Sequence, residues 1–226
     1  MACAGLLAAF FCFGQSNFSR GEDLLMRNKP AEAVVFLENS IADDPARVMT
    51  WLYLGIVYEQ LDRADEAIAA YRRILPAAGG LSANVANNLG NVYFQKGNTE
   101  MAEQFYTQAI GFDSVYSRAY LGRANTRIKA GNLRNAVADY EQYLTLEPRS
   151  SQRTGIERIL TVIREEFAAE ERKRILAEEE ERRLAEERQK LLDAVSASLQ
   201  SAADYSQSIS SGAESVEGYE GEFELE

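Results

Sequence analysis

The chain has no histidine, and its 226 residues include only two cysteines and four prolines. Histidine is the most common general base and, with cysteine, the most common zinc ligand in proteins. No glycine-rich loop of the phosphate-binding kind and no activated nucleophile stands out either. We therefore predict no enzyme activity, no cofactor, no metal site and no small-molecule substrate.

Positive charge is also scarce, and it is unevenly placed. The formal net charge is -11, and residues 193–226 hold eight acidic and no basic residues. Residues 1–192 hold the remaining 27 acidic and 24 basic residues, so the body of the chain is close to neutral. A nucleic-acid-binding protein needs a basic surface for the phosphates. We therefore predict no nucleic-acid partner.

The N-terminus carries the longest apolar run, from Ala2 to Phe13. Its length fits the hydrophobic region of a signal peptide but is short of the roughly 20 residues that cross a bilayer. No basic residue precedes Arg20, although signal peptides normally have one. We expect residues 1–14 to be a signal peptide or an apolar N-terminal segment. Export to the periplasm or envelope is the prediction, with a membrane contact only through an uncleaved or lipidated N-terminus, and a cytoplasmic protein is the alternative.

A pattern of about 34 residues recurs along the middle of the chain. Its clearest copy reads Trp51-x2-Leu54-Gly55-x2-Tyr58, followed by Ala67-x3-Tyr71. The same slots hold small residues in every copy: Gly21, Gly55, Gly90 and Ala124 in the first helix, and Ala33, Ala67, Ala102 and Ala136 in the second. Small residues are needed where two antiparallel helices cross closely. The pattern resembles the tetratricopeptide repeat (TPR) family.

The repeats predict an all-α fold, a right-handed α-solenoid of about four TPR helical hairpins. The array spans 15–150, with repeats at about 14–47, 48–82, 83–116 and 117–150. Turns between paired helices fall at Asn28, Asp62, Gly97 and Gly131, residues that accept left-handed or capping conformations. One extra residue near Ala77–Gly80 predicts a longer loop after the second hairpin.

A charged helix is predicted after the array, over residues 151–195. Apolar residues at helical spacing from Ile156 to Phe167 suit a helix that caps the last repeat. A coiled-coil seam continued from there would bury Glu170, Arg174, Glu181 and Arg188, which favours a solvated single helix over a coiled coil. Residues 196–226 are predicted to be a disordered acidic tail, in which Glu217–Glu226 alternates acids with apolar residues in the manner of a short binding segment.

The resemblance implies that the first helices of successive repeats line a concave groove for an extended or helical peptide. A row of asparagines there would hydrogen-bond a peptide backbone without selecting its side chains. Arg118 is similar to family residues that clamp a terminal carboxylate, but Leu52, Ile56 and Gly122 take places where such a clamp needs polar partners. The candidate groove residues are Asn84, Asn87, Asn88, Asn91, Phe94, Gln95, Arg118, Asn125, Tyr53 and Ile56.

Two functions are consistent with these features. The first is a non-enzymatic TPR scaffold that binds a protein or peptide through its concave groove, in the cell envelope. The alternative is a structural assembly subunit that self-associates through the ends of the array or the charged helix, as a homo-oligomer.

Overall fold

The computed structural model describes residues 15–213, and this part of the chain is helical throughout apart from its turns. Two three-residue 3-10 turns, Leu75–Ala77 and Gly79–Leu81, hold the extra residue predicted after the second hairpin. The helices are α1 (Asn17–Met26), α2 (Pro30–Asp43), α3 (Val48–Gln60), α4 (Ala64–Ile74), α5 (Ser82–Gln95), α6 (Thr99–Phe112), α7 (Ser117–Lys129), α8 (Leu133–Leu146) and α9 (Arg153–Ala213). Consecutive helices α1 to α8 pack as four hairpins, which confirms the predicted solenoid.

The four hairpins share one turn conformation. Asn28, Asp62, Gly97 and Gly131 all have positive φ, at 57°, 56°, 77° and 77°. In each hairpin the following N–H bonds back to a carbonyl five residues earlier, as from Lys29 to Leu24 at 3.0 Å. This is the Schellman cap, which satisfies the last carbonyls of a helix through a left-handed residue. The predicted turn positions are therefore confirmed.

Glycine in the first helix and tyrosine in the second hold the middle hairpins together. The Tyr71 ring lies directly against Gly55, and the Tyr106 ring lies against Gly90. A β-carbon on Gly90 would lie 2.7 Å from the Tyr106 ring, closer than real carbon atoms approach. The small slots of the second helices, Ala67 and Ala102 among them, are completely buried. Small residues therefore set the distance between the paired helices, as the repeat pattern predicts.

The fourth hairpin has a buried ionic network in addition. The Asp139 carboxylate accepts hydrogen bonds from Arg123 Nε at 2.9 Å and Nη2 at 2.7 Å, and from Arg127 Nη1 at 2.7 Å. Arg127 also pairs with Glu103 of α6 at 2.7 Å. The Asp139 side chain is only 4% exposed, so its charge depends on the two arginines.

Residues 15–163 and 164–213 lie in two separate compact units. Ile156, Leu160 and Ile163, in the first turns of α9, are buried in the first unit. In the second unit the helix continues to Ala213 instead of ending near Val195. Residues 196–213 contain no proline and no glycine before Gly212, and alanine, leucine and glutamine favour helix, which explains the longer element. The predicted acidic tail beyond Ala213 and the predicted segment 1–14 lie outside the described residues.

Within the described range, no helix combines the length and apolar character needed to cross a membrane.

Candidate peptide-binding groove

A cavity of about 270 Å³ opens between α5 and α7, and we call it the polar cavity. It brings together five of the candidate groove residues, contributed by the third and fourth hairpins. The polar cavity is lined by Asn87, Asn91, Phe94, Tyr106, Arg118, Leu121, Gly122 and Asn125.

Asn87 is the unusual member of this set. Its side chain is buried, at 5% exposure, and its Oδ1 atom has no hydrogen-bond partner among the described residues. A buried polar group without a partner costs about 1–3 kcal/mol, and native proteins keep very few of them. Asn87 is thus a buried carboxamide in the wall of the cavity with an unused acceptor, as a group that hydrogen-bonds a ligand would be.

Asn91 and Asn125 are fixed in orientation by tyrosines of their own hairpins. Tyr106 donates its hydroxyl to Asn91 Oδ1 at 2.8 Å, and Tyr140 donates to Asn125 Oδ1 at 2.6 Å. Burial raises the pKa of both phenols above the usual value, which keeps them neutral donors. With each oxygen occupied, the Nδ2 groups of both asparagines are the atoms that remain to donate, and no described residue accepts from them.

The charge of the polar cavity comes from one helix. α7 carries four basic and no acidic residues, whereas α5 carries no charge at all. Arg123 and Arg127 are neutralised by the network around Asp139. Arg118 is exposed and forms no ion pair with a described residue, and Lys129 lies 5.1 Å from the centre of the Phe94 ring. The groove therefore presents unneutralised positive charge in a strongly acidic protein.

The other five candidate residues lie elsewhere. Asn84 donates to Tyr116 at 3.3 Å, and Asn88 donates to Tyr71 at 3.4 Å, so their carboxamides serve contacts within the array. Gln95 lines a different, smaller cavity beside Lys96. Ile56 is half-buried in the hydrophobic core.

Tyr53 also forms contacts within the array. It donates to Glu22 at 2.8 Å and stacks on Phe18, with ring centres 5.8 Å apart. Burial and the hydrogen bond to Glu22 raise the pKa of this phenol above its usual value, so the side chain remains a donor to α1.

A second cavity, of about 300 Å³, adjoins the first, and we call it the apolar cavity. Leu121 and Asn125 line both cavities, so the two are neighbours, and we call the pair of cavities the groove. Gly155 and the 40% exposed Ile159 supply its far wall from the first turns of α9. This wall was not predicted from the sequence, because the apolar stripe on α9 was assigned to capping alone. The remaining lining residues are Tyr140, Ser151, Gln152 and Ile156.

Among the described residues no group of three or more cysteine, aspartate or glutamate side chains is arranged to hold a metal ion.

Comparisons with known proteins support the repeat assignment. Residues 46–114 and 117–150 match tetratricopeptide repeat families. The chain is 34% identical over 123 residues to RNA polymerase II-associated protein 3 of Mus musculus, a match that covers 52% of this chain and only 18% of that protein. The chain thus spans only 16% to 18% of the length of the curated relatives that it matches.

Two solved structures show the same fold at low identity. The crystal structure of MamA superposes with a TM-score of 0.59 at 20% identity, covering 66% of this chain and 84% of that one. A tetratricopeptide repeat protein of Parabacteroides merdae gives a TM-score of 0.57 at 21% identity, covering 70% and 64%. The hairpins between residues 46 and 150 are therefore tetratricopeptide repeats, built into an α-solenoid.

Proposed function

We propose that the chain is a non-enzymatic scaffold that binds an extended peptide segment of a protein partner in the groove formed by the polar and apolar cavities. Tetratricopeptide repeats are protein-interaction modules. The observation that carries the proposal is Asn87, a buried carboxamide with an unused acceptor in the wall of the groove. A peptide N–H is the natural donor for it.

The surrounding groups fit a peptide backbone as well. The Nδ2 groups of Asn91 and Asn125 can donate to peptide carbonyls, because tyrosine hydroxyls already hold their oxygens. Phe94 and Leu121 offer apolar contact beside them. Pockets of this kind obtain affinity from apolar surface and geometry from a few polar groups. Arg118 adds a preference for an acidic residue or carboxylate at one point of the ligand.

The test is a peptide-display selection on the full chain, followed by affinity measurements on the selected peptides. Replacing Asn87 and Asn91 together by alanine should weaken binding about three- to a hundredfold, since each hydrogen bond is worth about 0.5–1.5 kcal/mol net. Asn88 is left intact because it donates to Tyr71 within the array. Asn135→Ala is the matched control, since Asn135 is exposed on α8 and lines neither cavity.

Stability separates a ligand-binding role of Asn87 from a structural one. Asn87→Ala removes a buried group without a partner, so the melting temperature should stay the same or rise while peptide affinity falls. If Asn87 had a structural role instead, Asn87→Ala would lower both the melting temperature and the peptide affinity. If the folded double variant kept its affinity for every selected peptide, the groove would not be the binding site.

The cellular location is a separate proposal. The apolar run from Ala2 to Phe13 supports export to the periplasm or envelope, with a cytoplasmic protein as the alternative. N-terminal sequencing of the protein from its native source would decide: a mature chain that begins near Gln15 supports export, and an intact Met1 contradicts it.

A further inference from the structure

The groove has a polar part and an apolar part that follow one another. The first helices α5 and α7 and the first turns of α9 line it. Phe94, Leu121 and Ile159 are apolar residues that these three helices contribute, one from each, and we call them the apolar row. Gly155 leaves the apolar cavity open, because no atom lies within 4 Å of the place where a side chain would begin.

One segment of the chain matches this row. From Tyr219 to Glu226 the sequence alternates strictly, with Tyr219, Gly221, Phe223 and Leu225 between glutamates at every second position. In an extended peptide, successive side chains point to opposite sides, so one edge would be apolar and the other wholly acidic. Tyr219 to Leu225 would span about 20 Å at 3.3 Å per residue, enough to contact more than one of the helices that line the groove, since packed helices lie about 8–10 Å apart.

Charge supports the same match. Residues 214–226 carry six glutamates and no basic residue. All four charged residues of α7, which lines both cavities, are basic, and Arg118 and Lys129 are exposed without an ion pair to a described residue. We propose that the acidic segment Glu217–Glu226 of one copy binds in the groove of a second copy, so that the chains associate head to tail. This proposal rests on the groove being a peptide-binding site.

A second copy is favoured over the same copy because of the length of the helix. Residues 164–213 form a continuous helix that is about 75 Å long at 1.5 Å per residue. The 12 residues from 214 to 225 reach at most about 40 Å when fully extended. The segment therefore cannot return along its own helix as far as Arg164. Binding between copies is heterologous, and it forms chains or closed rings.

The test is sedimentation velocity on the full chain over a wide range of concentrations. We expect the wild type to associate as concentration rises, and a synthetic peptide of residues 214–226 to reverse the association. Gly155→Leu fills the apolar cavity, and Phe223→Ser with Leu225→Ser removes the apolar edge of the segment. Each of the two variants should weaken association about tenfold or more, because the first blocks a large apolar contact and the second removes it. Gly111→Leu and Val216→Ser are the matched controls, the first at a helical glycine with open space outside the groove.

Mixing the two defective variants gives the decisive result. The segment variant keeps an intact groove and the groove variant keeps an intact segment, so the mixture should associate although neither does alone. Failure of the mixture to associate overturns the proposal. A wild type that stays monomeric at every concentration also overturns it. So does a groove that fails to bind the synthetic peptide even when the protein is dilute and monomeric, because the segment would then occupy the groove of its own copy. If the chain is monomeric yet binds display-selected peptides through Asn87, the proposed function stands and this inference alone fails.

Discussion

The array (residues 15–163) and the second unit (residues 164–213) are both helical, but different forces hold them. The array buries entire side chains such as Leu37, Leu54 and Tyr71, and almost every buried polar atom in it has a partner. In the second unit nearly every described side chain is exposed, and the ion pairs, such as Arg183 with Glu180 at 2.6 Å, lie on the surface. Exposed pairs of this kind contribute little.

This difference in burial means that tertiary packing stabilises the array but not the second unit. Helices in the array depend on packing against neighbouring repeats, so a change at one close contact spreads through the hairpin. The second unit depends on the intrinsic preference of Glu, Arg, Ala and Leu for helix, so a change there stays local. The four predictions that follow test this contrast, from the largest expected effect to the smallest.

Asp139→Ala should have the largest effect. The substitution leaves Arg123 and Arg127 without the carboxylate they share, and their side chains are only 14% and 15% exposed. Breaking a buried ionic network from one side typically costs about 3–5 kcal/mol. Urea unfolding followed by circular dichroism should show a large fall in the midpoint. Asp65→Ala is the control, because the Asp65 side chain is 84% exposed and its pair with Lys96 is superficial. Equal, small effects of the two variants would contradict a structural role for the network.

Gly55→Leu should come next. A side chain at Gly55 would occupy the space of the Tyr71 ring, so the second hairpin would have to open. Overpacking of this kind typically costs about 1–3 kcal/mol, and more where the backbone cannot move. Gly111→Leu places the same side chain on α6 with no atom nearby, and it should leave the array as stable as before. Thermal melts of the two variants give the comparison, and an unchanged melt for Gly55→Leu would sink the packing argument.

Ala177→Gly with Ala185→Gly should affect the second unit alone. Each exposed glycine costs a helix about 1 kcal/mol, so the second unit should lose helicity at moderate temperature. Trp51 is the only tryptophan and lies in α3, so its fluorescence reports on the array. The circular dichroism signal should fall while the Trp51 transition keeps its midpoint. A shift of that midpoint would mean that the two units do not unfold independently.

Much of the array could be predicted from the sequence because its determinants are local and repeated. The small slots, the tyrosines opposite them and the left-handed turns at Asn28 and Asp62 all recur at one period. The C-terminal end of α9 was harder to predict than the array. Residues 196–213 have few charges and few apolar residues, a composition compatible with disorder, and only their intrinsic helix preference distinguishes them.

The groove was harder to predict than the fold, because it depends on which hydrogen bonds form between helices. Sequence position alone gives Asn88 and Asn91 the same character, yet Asn88 donates to Tyr71 while Asn91 accepts from Tyr106 and keeps its Nδ2 group for the cavity. The difference comes from the orientation of two tyrosine hydroxyls that the repeat pattern treats as equivalent. Asn87 was identified as a groove residue, but its unused acceptor is visible only when the surrounding atoms are placed.

The smallest predicted effect concerns Glu59, a carboxylate that the array partly buries. The described side chains of the second unit include no similar carboxylate. Burial raises the pKa of Glu59 above its usual value, although the hydrogen bond donated by Tyr71 partly opposes this. Because the pKa of Glu59 is raised in the folded state, the protonated carboxyl stabilises the fold relative to the ionised one. This contribution to stability is present below the usual glutamate range and is lost as pH rises through the raised pKa.

Glu59→Gln keeps an acceptor for Tyr71 and removes the charge. The variant should therefore melt at a slightly higher temperature than the wild type at neutral pH, and the difference should vanish as the pH falls through the glutamate range. Glu187→Gln, on the exposed surface of the second unit, is the control and should track the wild type at every pH. A difference between Glu59→Gln and the wild type that stays constant with pH would contradict the assignment, because it would show that shape and not charge separates the two side chains.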